Sequence, residues 1–123
     1  MTKTLTVIAA SLLLLGSQAA LACEYPARPS IPDGASASKD ELLAAKDGVQ
    51  KYMEAVDAYL TCIESEEKAA IADMDNPTAE ELQRRDEMLT KRFDAANEEK
   101  ALVGEQFNQQ IRAYNAKLQA EKE

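Results

Sequence analysis

The chain reads as all-α: an antiparallel two-helix hairpin, coiled-coil-like, with an extended, proline-rich arm at its N-terminal side. Three observations predict this. Two long stretches carry apolar residues at helical spacing, and each opens on a capping box. A single proline, Pro77, separates the two stretches. The other prolines, Pro26, Pro29 and Pro32, cluster ahead of the first stretch at intervals of three.

The first 22 residues read as a secretory signal peptide. Lys3 precedes an apolar run from Leu5 to Leu15, and Ala20-Leu21-Ala22 then places a small-x-small cleavage site before Cys23. The run is shorter than the roughly 20 residues a membrane span needs. A cysteine directly after a signal can also be lipidated, which favours a larger aliphatic residue where Ala20 stands. Ordinary cleavage is therefore the expected reading, and a lipoprotein anchored through Cys23 is the alternative. The location expected is periplasmic or secreted, an oxidising compartment.

Residues 23–37 form the arm. Prolines spaced by three suit a polyproline-like extended strand, and Asp33-Gly34 marks a turn. Residues 38–123 form the hairpin, with helices at about 39–75 and 78–120. Ser38 and Glu41 make the first capping box, and the stripe behind it includes Leu42, Val49, Met53, Val56, Leu60 and Ile63. Asn76-Pro77 breaks the helix. Thr78 and Glu81 cap the second, whose stripe includes Leu82, Leu89, Phe93, Ala96, Val103, Phe107 and Ile111.

A connection this short makes the helices antiparallel neighbours. Residues equidistant from Asn76-Pro77 should then face each other, which pairs Ile63 with Leu89, Leu60 with Phe93 and Val49 with Val103. The first stripe is interrupted by Glu66 and Glu67, which come level with Arg84 and Arg85, so charge can bridge the gap. Gly48 and Gly104 fall at one level, where the arm would pass near Ile31-Pro32 and a missing side chain would permit close approach.

Two helices of this size cannot bury a full core, so a staple is needed. Cys23 and Cys62 are the only cysteines, and an even count in a secreted chain predicts their disulfide. The arm can span roughly 50 Å when extended, and Cys62 lies only about 35 Å down the first helix. A structural staple is the expected role, because a redox pair would want a CxxC-type or electropositive setting.

Composition excludes several activities. The formal net charge is −8 and the sequence contains no histidine; losing Lys3 with the signal makes the chain more acidic still. Without a basic surface, nucleic acid and anionic lipid are not expected partners. Without histidine, Ser-His-Asp and Cys-His catalysis are excluded. No catalytic, cofactor-binding or metal-ligating residue is assigned, no cofactor is expected, and the chain is read as a non-enzyme. Carboxylates such as Glu64, Glu66 and Glu67 are a weak calcium candidate, since no EF-hand loop is present.

The start C-x-x-P-x-R-P-x-I-P-D-G, the segment Tyr59-Leu60-x-Cys62-Ile63 and the segment Phe107-Asn108-x-x-Ile111-Arg112-x-Tyr114 carry a resemblance. The chain resembles an uncharacterised family of small secreted proteobacterial helical-hairpin proteins. The resemblance implies an envelope location and the disulfide, and brings no binding residues with it.

The function expected is an interaction or structural module of the cell envelope, engaging a protein partner or itself. A holdase-like, stress-protective protein is the alternative. Ile31, Pro32, Leu43, Tyr114 and Leu118 are expected to converge at the free end of the hairpin as an apolar docking group.

Overall fold

A computed structural model describes residues 22–123. The expected signal peptide lies outside them except for Ala22. Two helices, α1 (Lys39–Ala72) and α2 (Ala79–Ala120), pack against each other, and no strand is present among the described residues. Both helices begin where the capping boxes place them. The Glu41 backbone N–H donates to Ser38 Oγ (3.2 Å), and the Ser38 N–H donates to Glu41 Oε2 (2.7 Å). Thr78 and Glu81 repeat the exchange at 3.1 and 2.8 Å.

The end of α1 comes three residues earlier than the expected Asp75. Asp73 takes the C-cap, and the last turn contains no basic residue. Acidic residues are unfavourable at the negative end of the helix dipole. Asn76 adopts a left-handed φ of 47°, a conformation asparagine tolerates, and the following Pro77 disfavours helical geometry there.

Residues 22–32 are extended and run back along α1, antiparallel to it. Cys23 is bonded to Cys62, with Cα atoms 5.8 Å apart. Farther along, Pro29 lies over Gly48. The segment then turns at Asp33, whose carbonyl accepts from the N–H groups of Ser36 (3.1 Å) and Ala37 (2.8 Å), and enters α1. The arm therefore forms a third layer on one side of the helix pair.

That layer locates the core. Val49, Tyr52, Val56, Ala96 and Val103 form a buried cluster, with Ile31 of the arm and Phe107, Met53, Tyr59 and Leu60 of the helices packed against it. Val56 and Ile63 are fully buried (both 0 % exposed). At the turn end, Arg85 grips Glu67 through two bonds of 2.6 and 3.0 Å, at the level where charge was expected to bridge the stripes. Arg84 pairs instead with Glu80 in its own helix (3.0 Å), and Glu66 is exposed.

Farther from the turn the reach across the seam shifts by about a helical turn. Lys100 reaches Asp57 (2.5 Å), and Met53 approaches Gly104. The two helical glycines consequently have different neighbours: a Cβ at Gly48 would meet Pro29 of the arm at an ordinary 3.7 Å, whereas one at Gly104 would crowd the Met53 terminal methyl at 3.3 Å.

Candidate interaction surface

The arm is fastened by a set of contacts that begins beside the disulfide. The hydroxyls of Tyr25 and Tyr52 are hydrogen-bonded at 3.0 Å, and the Tyr25 ring meets the Tyr59 ring edge-on at 5.1 Å between centroids. The Arg92 guanidinium lies over the Tyr59 ring at 5.8 Å. Burial pushes the Tyr52 phenol above its ordinary value, and the bond to Tyr25 adds to the shift. This hydroxyl is a neutral structural group at any physiological pH. Arg28 crosses from the arm to Glu99 of α2 in an ion pair.

The other end of the arm is fastened through backbone. The Gly34 N–H donates to Gln110 Oε1 (2.9 Å), and Lys117 Nζ donates to the Ala37 carbonyl (2.9 Å). A Cβ at Gly34 would lie 1.9 Å from the Gln110 carbonyl oxygen. Gly34 has no positive φ, so its role is close approach rather than an unusual turn. The Asp33-Gly34 turn was legible in the sequence, but the Gly34–α2 contact was not, since nothing near Gly34 identifies Gln110.

The residues expected at one apolar end are divided by this arrangement. Ile31 packs against the core cluster. Pro32 lines an open groove between the arm and α1, alongside Pro29, Ala44, Ala45 and Gly48, with a volume of about 660 Å³. Leu43 and Tyr114 come together elsewhere, in an open groove of about 360 Å³ with Leu42, Phe107 and Ile111, rimmed by Lys39, Lys46 and Asn115. Leu118 is half-buried and lines neither groove. Lys117 sits over the Tyr114 ring at 5.5 Å, so the arm and a cation together cover part of that end.

The two grooves lie on opposite flanks of the hairpin. Lys46 is two residues from Gly48, which turns it about 200° around α1 and away from the arm. On this arm-free flank Leu43 is 52 % exposed, and Phe107 and Ile111 are half-buried. The flank continues toward the turn through a second open groove with Glu64, Leu89, Thr90 and Phe93. Sequence reasoning named Leu43 and Tyr114 but missed Lys39, Lys46, Phe107 and Ile111 as their surroundings. The seven-residue spacing of Lys39 and Lys46 was the available signal.

Among the described residues no group of His, Cys, Asp and Glu side chains is placed to hold a metal ion. No helix among them is long and apolar enough to cross a membrane. The Cys23 sulfur is engaged in the disulfide, which occupies the atom that a lipid thioether would require.

Fold and surface together define a disulfide-stapled helical hairpin with an extended arm as its third layer and one flank left open. No family model matches the chain, and no curated protein or solved structure matches it significantly.

Proposed function

We propose that this protein is a non-enzymatic interaction or structural module of the cell envelope, working in the periplasm or after secretion. The observation that carries the reading is the asymmetry of the hairpin. One flank of the seam is covered by a covalently held arm, with an open groove left between arm and α1, while the other has no arm and leaves Leu43 exposed over half-buried Phe107 and Ile111. An open apolar strip between polar rims is the kind of surface a partner covers. The disulfide suits an oxidising compartment. Kinship with the small secreted proteobacterial proteins that share the C-x-x-P-x-R-P-x-I-P-D-G start belongs to the same proposal. Its support is that the motif's Cys23, Arg28, Pro29, Ile31 and Gly34 all dock the arm.

The test is a photo-crosslinking residue placed at Leu43 or at Glu54, an exposed position on the back of α1, in intact cells. Discrete adducts from position 43 and none from position 54 are the expected result. Equal, unselective labelling from both positions overturns it. A holdase role is the second reading, favoured by shallow open grooves on an acidic protein. It requires that purified protein hold an aggregating client in solution.

A further inference from the structure

On the arm-free flank the charges of α1 follow an order. Lys39 and Lys46 stand toward the free end, and Asp57 and Glu64 toward the turn. Lys39 and Asp57 are about five helical turns apart, as are Lys46 and Glu64, so all four project along one line of the helix. Two cations followed by two anions, each pair at heptad spacing, is a self-complementary pattern. An inverted copy of the helix with its two-fold axis between Lys51 and Tyr52 brings Lys39 level with Glu64 and Lys46 level with Asp57. The same axis brings Leu43 level with Leu60.

The opposing rim, on α2, carries one cation along this length, Lys100, which is paired across the seam with Asp57. Thr90, Asn97, Asn108 and Asn115 are its exposed polar residues. Ala101 and Gly104, the smallest residues of this rim, stand within about a turn of the axis level and permit close approach there. The flank overlapping an inverted copy measures about 45 Å by 20 Å, roughly 900 Å² per copy. A standard stable interface needs about 800 Å² per partner.

We infer that the arm-free flank is covered by a second copy of this chain in inverted orientation, making a two-fold-symmetric four-helix bundle with both arms on its outer sides. This rests on the reading of the hairpin as an interaction module and names its partner. Every adjacent helix pair in such a bundle is antiparallel, and Lys39 and Lys46 of each copy meet Glu64 and Asp57 of the other. Asp57 already meets Lys100 and Glu64 meets Lys68, but both carboxylates stay half or more exposed, so an incoming lysine joins an existing pair.

The experiment uses the purified, disulfide-intact protein at micromolar concentration and begins with mass by light scattering. A short amine-reactive crosslinker and peptide mapping follow. Within one chain Lys39 and Lys68 are about 44 Å apart along α1, too far for such a reagent, whereas inverted copies bring them within a turn. A dimer with Lys39–Lys68 links is expected. Lys39→Glu with Lys46→Glu makes the four positions all acidic, and Asp57→Lys with Glu64→Lys makes them all basic. Each doubly substituted protein should raise its dimer Kd by roughly tenfold or more, as four modest ion pairs per dimer become repulsive. Mixing the two should restore dimers as one-to-one heterodimers, while helicity by circular dichroism stays unchanged. A monomeric parent, Lys39–Lys39 links, or doubly substituted proteins that dimerise like the parent would each overturn the inference. A monomeric parent whose position 43 still crosslinks a different protein in cells would refute the second copy and leave the module reading standing; loss of both would refute both.

Discussion

The hairpin divides at the disulfide into two halves that are held together differently. Between Cys62 and the free end, the arm lies on the helices, and this half holds Leu42, Ala45, Val49, Tyr52, Val56, Ala96 and Val103, all buried. Between Cys62 and the turn no arm is present, and Ile63 is the one residue there of the buried hydrophobic set. There Glu67 and Arg85 join the helices through a partly buried ion pair, while Glu64–Lys68 and Glu80–Arg84 are exposed pairs within single helices. Two helices expose too much surface to make a core alone. Adding even an extended segment as a third layer lets apolar side chains leave water, and the staple keeps that layer in place.

The sharpest way to break this contrast is to cut the staple. A disulfide closing a 39-residue separation is worth about 4 kcal/mol in the chain-entropy account. Cys23→Ser with Cys62→Ser should lower stability by about that amount in denaturant unfolding. Hydrogen exchange should show the loss concentrated in the covered half, in the amides around Val49 to Val56. Uniform loss across both halves would mean that the arm does not organise the core.

Glycine substitutions give the next effect, with opposite signs. Gly34→Ala drives a methyl group into the Gln110 backbone and should cost about 2–3 kcal/mol by thermal unfolding. Gly48→Ala places its methyl 3.7 Å from Pro29 Cβ, an ordinary contact, and should stabilise α1 by up to about 1 kcal/mol. If both variants destabilise alike, the arm is not seated as described.

In the turn half, Arg85→Ala should cost about 1 kcal/mol, because its bidentate partner Glu67 is only partly exposed. Exchange protection should fall around Ile71 and Leu82 and not around Val49. The reverse pattern would contradict the division into halves.

The smallest expected effect is a pH dependence shared equally by the two halves. The Ser38 backbone N–H, aided by the Ser38 hydroxyl, holds the Glu41 carboxyl below its ordinary value, and Thr78 does the same for Glu81. A depressed folded-state pKa means that the stabilisation is complete above the unfolded value of about 4.3 and disappears as pH falls through the folded value. Glu41→Gln and Glu81→Gln should each lower Tm at pH 7 and converge on the parent at pH 3. A gap that persists in acid would assign the effect to packing.

The helices, their starts and the break between them were legible in the residues, because caps, periodicity and a proline act over one or two turns of chain. The disulfide followed from counting two cysteines and comparing lengths. The Glu67–Arg85 bridge followed from reflection about Asn76-Pro77 and weakened as a guide with distance from the turn, where Lys100 reaches Asp57 instead.

The end group was different. Ile31, Pro32, Leu43, Tyr114 and Leu118 are all apolar, so composition alone joined them, while the structure sends Ile31 to the core, Pro32 to the arm groove and Leu43 to the open flank. Which flank the arm takes depends on groups far apart in the chain, above all the Gly34 backbone against Gln110. Local rules therefore specify the two rods and their staple. Which side of them stays open is settled by how three layers pack, because non-local backbone approach leaves no periodic mark in the sequence.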